Sequence, residues 1–449
     1  MRDLILLGAL LSVLPLILRA PQIGILAWIW VTLMNPQREV YGFLSGFQLN
    51  FYIAIATAFA WAGSREKKIA PMNPVTAMLV LFAFWVSVTT YYALQRDVSY
   101  ELWDRTIKTL VLAFAVLAIA NNKARIQAVV WAVVLSIGYF GIKGGGFTLL
   151  TGGRNHVFGP ENSMIADNNH LGLALVMILP LMNYLRVTSR RYWVRAGLLA
   201  VMGLTIVAVI GTYSRGALVA LGVAGGVYML KSRSGLLPLV LGGMVLLMLP
   251  NLVPASWFHR MSTIDSAGQD ASFQERLEAW RTSFNVAEAH PLTGGGFASI
   301  ENDWVAHAYH SPGSLNIGRA AHSIYFEVLG DHGFVGLALF LMLVAAAWYN
   351  TSATLSFAKT RPELDWAAKL ARMLQVSIVA YMVGGAALSM AYYDGYLVLL
   401  ALSGALLLAV KQPATDALGR TVPAWRRKAE QDMARLPEMP AAAMDLRAR

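Results

Sequence analysis

The feature that most constrains this chain is the length of its apolar runs. Residues 75–94 and 194–213 approach the roughly 20 residues that a helix needs to cross a bilayer, and thirteen apolar segments, several of them shorter, lie between residues 4 and 410. Charged residues make up only 14% of the chain against 57% hydrophobic, where soluble domains carry about 25% charged residues. That gap excludes a conventional water-soluble enzyme. The expected fold is an all-α polytopic membrane protein with about 12 transmembrane helices.

The polar connections alternate in charge. Those at 64–74, 121–125, 186–195, 231–234 and 350–372 hold fifteen Lys and Arg, and the tail from Lys411 holds eight more. Connections of the other parity, among them the whole stretch 252–321, hold fewer. Short basic connections stay cytoplasmic, so the tail is expected inside and the long loop outside. The formal charge of +11 is thereby explained by orientation, with no nucleic-acid partner. The chain divides into an N-terminal transmembrane bundle (1–251), an external loop (252–321), C-terminal transmembrane helices (322–410) and a cytoplasmic tail (411–449).

The opening, Met1-Arg2-Asp3 and an apolar run without a small-residue cleavage site, reads as a retained anchor. The first two apolar segments, divided by Arg19-Ala20-Pro21, are short for full crossings. They read as one tilted element kinked at Pro21 or as a partial hairpin, which leaves twelve spans with both ends inside. The absence of cysteine rules out disulfides, thiolate metal sites and cysteine nucleophiles together.

Three places in the external regions carry candidate chemistry. Phe273, Leu277, Trp280 and Phe284 recur at helical spacing, so 272–289 reads as an amphipathic helix ending before Pro291, with Arg276 and Arg281 on opposite borders of its apolar stripe. Either arginine turns toward a site or snorkels to headgroups. Arg215, in Thr212-Tyr213-Ser214-Arg215-Gly216, stands in a tight turn between two apolar segments, where a guanidinium is costly unless it meets an anion, a carbonyl or water. His322 opens a segment leading into the next span, and a histidine there suits a general base or sits as a wet interfacial side chain. On a helical wheel Tyr325 shares its face, whereas Glu327 and Asp331 point away.

Other groupings are less specific. His307, His310 and Asp303 could ligate a metal, but their spacing equally fits a solvated face. The runs Gly144-Gly145-Gly146-Phe147 and Gly294-Gly295-Gly296-Phe297 lack the Gly-Lys-Ser/Thr continuation of a nucleotide loop. They let backbone N–H groups approach a phosphate or serve as turns. Arg154 and His156, with the polar residues up to His170, bind sugar hydroxyls or solvate a helix entrance. No Asp-x-Asp pair occurs, which disfavours a metal-held nucleotide sugar.

The order of these motifs resembles the O-antigen ligase and polymerase superfamily. The external Tyr-Ser-Arg-Gly turn is followed by a loop with Arg-Leu-Glu-Ala-Trp, then His-Pro-Leu-Thr-Gly-Gly-Gly-Phe, then His-Ser-x-Tyr-x-Glu-x-Leu-Gly-x-x-Gly opening a span, over residues 212–340. Met34 to Arg38 and the segment around Glu161 look more like the branch of O-glycosylation ligases found with exosortase systems. The resemblance implies a glycosyltransferase C-like helical bundle in the bacterial inner membrane with a periplasmic active site. It further implies transfer from an undecaprenyl-pyrophosphate-linked glycan to the lipid A core, without metal or other cofactor. Arg215 and Arg276 match the arginines that hold the donor pyrophosphate, and His322 matches the histidine that activates the acceptor. Arg154, His156, Tyr213, Ser214, Arg281 and Tyr325 are further candidates for substrate contact. A polymerase or a protein O-oligosaccharyltransferase would use the same donor. A transporter would place ionisable residues near mid-membrane in broken helices, often within repeats, and this chain shows no clear repeat.

Overall fold

The structure, a computed structural model, describes residues 2–40, 42–65, 72–231, 271–310 and 318–411. The expected span at 235–250, the first part of the long loop (252–270), the tail beyond Lys411, and Lys67, Lys68 and Arg233 lie outside these residues. Among the described residues all regular structure is helical. The helices are α1 (Arg2–Arg19), α2 (Pro21–Met34), α3 (Leu49–Gly63), α4 (Pro74–Tyr91), α5 (Arg96–Ile119), α6 (Lys123–Leu150), α7 (Asn168–Thr188), α8 (Tyr192–Gly211) and α9 (Arg215–Lys231). After the long loop come α10 (Ala271–Ala289), the short α11 (Asp303–Tyr309), α12 (Ile324–Ala358), α13 (Asp365–Gly385) and α14 (Asp394–Lys411).

Six described helices, α4, α6, α7, α8, α12 and α14, are long and apolar enough to cross a membrane. The remainder fall short of that standard for visible reasons: α2, α3 and α9 have 14, 15 and 17 residues, and α5 and α13 open on charged turns. In α7 and α14, 78% of the span is buried, against 39% in α4 and 33% in α8. The first pair therefore forms the centre of the bundle and the second its periphery, where apolar side chains such as Phe84 and Leu199 point outward. At the centre Tyr381 and Tyr396 stack at 3.8 Å and 11°.

Helix boundaries follow local chemistry. Asn73 accepts from the Val75 and Thr76 N–H groups ahead of Pro74, Asn122 caps α6 and Asp167 caps α7, each replacing a missing intrahelical acceptor. Pro21 occupies the first turn of α2, where it removes no hydrogen bond. The opening is accordingly two helices and not one kinked element. The Leu44 N–H donates to Asp3 Oδ1 at 3.1 Å, so α1 begins beside the connection that follows α2, and the two form an antiparallel hairpin. Arg2 and Lys411 thus lie at opposite ends of the bundle, contrary to the expectation of both ends on one side.

The Gly144-Gly145-Gly146 run lies inside α6, not in a loop. An added Cβ on Gly145 would come within 2.2 Å of Leu204 O on α8, so this run lets two helices approach backbone to backbone, as small residues do inside membranes. The connections of α1–α14 sort into two sets. The segments 35–40, 42–48, 92–95, 151–167, 212–214, 290–310, 318–323 and 386–393 gather at one end, here the polar end, tied by bonds such as Leu94 N to Gly295 O and Val157 N to Gly211 O, both 2.9 Å. The connections 121–122, 189–191 and 359–364 lie at the other, with basic residues in them or, as Lys123 and Arg125, just after.

Candidate active site

Arg215 owes its place to the turn before it. Tyr213 adopts a left-handed backbone (φ 56°), its buried hydroxyl donates to Gly153 O, and its ring lies 4.4 Å from that of His156. Ser214 is buried and its Oγ accepts from the Ala217 N–H at 3.2 Å, capping α9. Arg215 is then the first residue of α9, half-buried, at a helix end whose dipole favours anions. The turn is also bolted to α7, because Asn168 Nδ2 donates to Thr212 O at 2.6 Å. Tyr213, Ser214 and His156 are thereby occupied in holding this corner, and Arg154 beside them is exposed.

His322 is built from two sides. On one, α10 lies across the first turns of α12: the Trp280 indole stacks on Phe326 at 5.0 Å and 7°, and its Nε1 donates to Ala321 O at 2.7 Å. The face of α10 turned to the bundle is the one carrying Ala279, Ser283, Val286 and Ala287, with Trp280 at its border and Phe284 exposed. On the other, the His322 N–H donates to Ser389 Oγ at 2.8 Å, in the connection between α13 and α14. His322 itself has φ 47°, an uncommon state for a side-chain-bearing residue that costs on the order of 1–3 kcal/mol. It precedes the helix and is not part of it, so a helical wheel does not fix its direction. Residues held in such strained conformations cluster at active sites and ligand clamps, and Tyr213 and His322 flank the two places singled out above.

Electrostatics joins these pieces. Burial, then the Arg276 guanidinium, holds the His322 imidazole below its ordinary pKa, with Asp167 and Glu275 pulling the other way and Arg319 adding to the lowering. His170, in the first turn of α7, lies close enough for its charge to act on His322, and it hydrogen-bonds the backbone at Met164. Arg276 is half-buried and near enough for its charge to act on His322, whereas Arg281 is exposed. The start of α7 is thus bonded to the Arg215 turn through Asn168, and the charges of Asp167 and His170 act on His322. Arg215, Arg276 and His322 all lie at the polar end, and the Arg276 charge acts on His322.

Residues 200–341 match the O-Antigen ligase family (Wzy_C). This match contains Arg215, Arg276 and His322, and it supports the superfamily expected from the motifs, with a ligase- or polymerase-type role in O-antigen processing and lipid-linked glycan and acceptor partners in general. Residues 1–190 match a family of unknown function (DUF5935). No curated protein matches the chain. Asp167 and His170 fall in the second match, and Ser389 in neither.

Several sequence expectations resolve differently from their first alternatives. Gly294-Gly295-Gly296 is not a phosphate cradle: the three N–H groups donate to His290 O, Gly330 O and Asp331 O at 2.8, 2.8 and 2.9 Å. The run docks on α12 where that helix breaks at Gly333 (φ 68°), and a Cβ on Gly294 would lie 2.6 Å from Gly333 N. Glu327 and Asp331 do turn away from His322, and each has work elsewhere. Glu327 Oε2 accepts from Ala391 N at 2.9 Å, and Asp331 accepts from Ala298 N at 3.0 Å and Tyr392 OH at 2.8 Å. They anchor the 386–393 connection and so the Ser389 that holds His322. Tyr325 OH donates to Met382 O at 2.9 Å, tying α12 to α13. His307 and His310 bond the main-chain oxygens of Asp303 and His307 through their Nδ1 atoms, and among the described residues no three His, Asp or Glu side chains form a metal-holding group. Trp280 is readable as part of the Arg-Leu-Glu-Ala-Trp motif, but its bond to Ala321 O, like the contributions of Asp167 and Ser389, emerges only from the packing.

Proposed function

We propose that this protein is an O-antigen ligase, an inverting glycosyltransferase that moves a glycan from undecaprenyl-pyrophosphate to a hydroxyl of the lipid A core oligosaccharide on the periplasmic face of the inner membrane. The observation that supports this reading is that Arg215 at a helix N-terminus, Arg276 on a helix lying over the bundle, and His322 all lie at the polar end, with the Arg276 charge acting on His322. A departing pyrophosphate gathers negative charge as the glycosidic C–O bond breaks. Two guanidinium forks and a helix end, partly withdrawn from water, stabilise that charge as it forms. The acceptor hydroxyl attacks C1 from the opposite face, giving inversion, and its proton passes to His322. An imidazole held below its ordinary pKa is neutral at working pH and so ready to take that proton. The orientation rests on the basic connections, which the positive-inside rule leaves in the cytoplasm.

The deciding experiment incubates purified protein with an undecaprenyl-pyrophosphate-linked glycan and, separately, lipid A core, a second carrier-linked glycan and a pilin-like protein. Sugar appearing on lipid A core supports the ligase. Sugar on the second glycan or on protein makes it a polymerase or a protein O-oligosaccharyltransferase using the same site, and movement of intact carrier lipid across the membrane without transfer makes it a transporter.

A further inference from the structure

The far end of α10 has an outer edge that the candidate active site does not use. Successive residues of α10 meet successive turns of α12. The Trp280 and Phe326 rings stack at 5.0 Å, a Cβ on Gly330 would lie 3.2 Å from Ser283 Cβ, and the Phe284 and Phe334 rings meet edge-on at 6.1 Å. The chain then turns so that Pro291 O accepts from the Phe334 N–H at 3.0 Å. As it runs, α10 therefore follows α12 toward the membrane, and with its 291–292 turn it ends beside the break at Gly333.

The level of that break follows from α4, one of the helices able to cross a membrane. Its 18 residues measure about 27 Å at roughly 1.5 Å each, no more than the roughly 30 Å of a bilayer's hydrocarbon, so Tyr91 at its polar end stands at the boundary with the headgroups. Trp85 Nε1 donates to His332 O at 3.2 Å, and Thr89 Oγ1 lies 2.7 Å from His332 Nδ1. His332 to Phe334 are thus level with the last two turns of α4, at or below that boundary. Tyr91 and Tyr92, both exposed, are the amphipathic aromatics that collect there.

At this level Phe334 is 43%, Phe284 46% and Leu292 62% exposed. Phe334 also opens a longer row: Phe334, Ala338, Leu341, Ala345 and Trp348, three or four residues apart, share one exposed face of α12. On a helix that crosses a membrane such a face meets lipid, and Phe284 packs on its first member. The edge of α10 prolongs that face. Arg281 and Glu288, exposed one turn before and one turn after Phe284, supply the charged flanks that interfacial helices keep at the headgroups. We infer that lipid covers this edge, with Phe284, Leu292 and Phe334 against the acyl chains of the leaflet at the polar end. α10 then rests on α12 on one side and on lipid on the other, and lipid is a support of the helix that carries Arg276 and Trp280.

The test places single nitroxide labels on this cysteine-free chain, full length, in nanodiscs of phosphatidylethanolamine and phosphatidylglycerol. The labelled variants are Phe284→Cys and Leu292→Cys, with Val80→Cys on the outward side of α4 and Asn155→Cys in an exposed polar-end connection as references. Collision with oxygen, which dissolves in hydrocarbon, and with a nickel chelate, which stays in water, gives the depth of each label. Labels at 284 and 292 should favour oxygen and lie about 5–10 Å inside the phosphates, deeper than Asn155 and shallower than Val80. Leu292 touches so little protein that its replacement leaves the fold intact, and it carries the test should Phe284→Cys fail to fold. A nickel collision rate at either position equal to that at Asn155 puts the edge in water and overturns the inference. Exclusion of both reagents from 284 and 292 puts protein there, a second copy or a partner chain, and overturns it equally.

Discussion

Trp280 is the side chain through which the long loop and His322 are held together, and its removal can be graded. Trp280→Phe keeps a ring over Phe326 but deletes the Nε1 donor that meets Ala321 O at 2.7 Å. A neutral hydrogen bond of this kind contributes about 1 kcal/mol, roughly fivefold in the population holding the next residue, His322, in place. Trp280→Ala also deletes the stack, worth about 0.5–1.5 kcal/mol beyond the buried area, and lets α10 shift with Arg276 one turn away from the lost indole. Together these approach 2.5 kcal/mol, or about 60-fold. The measurement is single-turnover transfer at saturating donor, paired with donor affinity. Trp280→Phe should lose about fivefold in rate with donor affinity within about twofold, and Trp280→Ala should lose about 60-fold with donor affinity also reduced. Wild-type turnover in Trp280→Phe alongside lowered thermal stability would show that the indole supports the fold alone, and the positioning argument would fail.

The remaining expectations concern the charges. Arg215→Lys and Arg276→Lys should each lose on the order of a hundredfold in rate, because an ammonium lacks the bidentate fork, while Arg281→Ala, exposed on the far side of α10, should stay within about threefold; an essential Arg281 with a dispensable Arg276 would reverse the assignment. His322→Ala should bind donor normally yet lose about 10²–10⁴ in transfer, and a variant with weak binding but normal rate at saturation would make the histidine a binding residue. Because burial and Arg276 lower the His322 pKa, its neutral form persists into mildly acid solution. The pH profile of kcat/KM should thus be flat from about pH 8 to below about 6.5 and fall only under it as the imidazole protonates, and an acid limb centred above about 7 would contradict the general-base role. In this cysteine-free chain, Asn155→Cys should label with an impermeant maleimide from the periplasmic side and Arg190→Cys only after inner-membrane lysis; the opposite pattern would invert the orientation.

What the sequence revealed, and what it hid, divides along a physical line. Apolar runs, the amphipathic 272–289 helix and the Arg215 turn were readable because each depends on residues adjacent in sequence or one helical turn apart. The side of α10 that Arg276 takes was not, since both borders of the stripe carry an arginine and only the packing of Trp280 on Phe326 separates them. The same holds for the glycines at 294–296, which look like a phosphate loop until the Gly295 and Gly296 N–H groups are found bonded to the Gly330 and Asp331 carbonyls on another helix. His322 read as the first residue of a helix because periodicity has no symptom for a left-handed backbone.

The bond from Asn168 to Thr212 O bears on how related chains could be recombined. It crosses the gap between the two matched segments, 1–190 and 200–341, and Ser389 lies beyond both, so neither segment is an independent unit of exchange. A chimera joined near residue 195 would pair the α7 entrance of one parent with the arginine turn of the other. Its donor corner would be only as good as the fit between an asparagine and a carbonyl that had never been selected together, so the heritable module is the whole polar end.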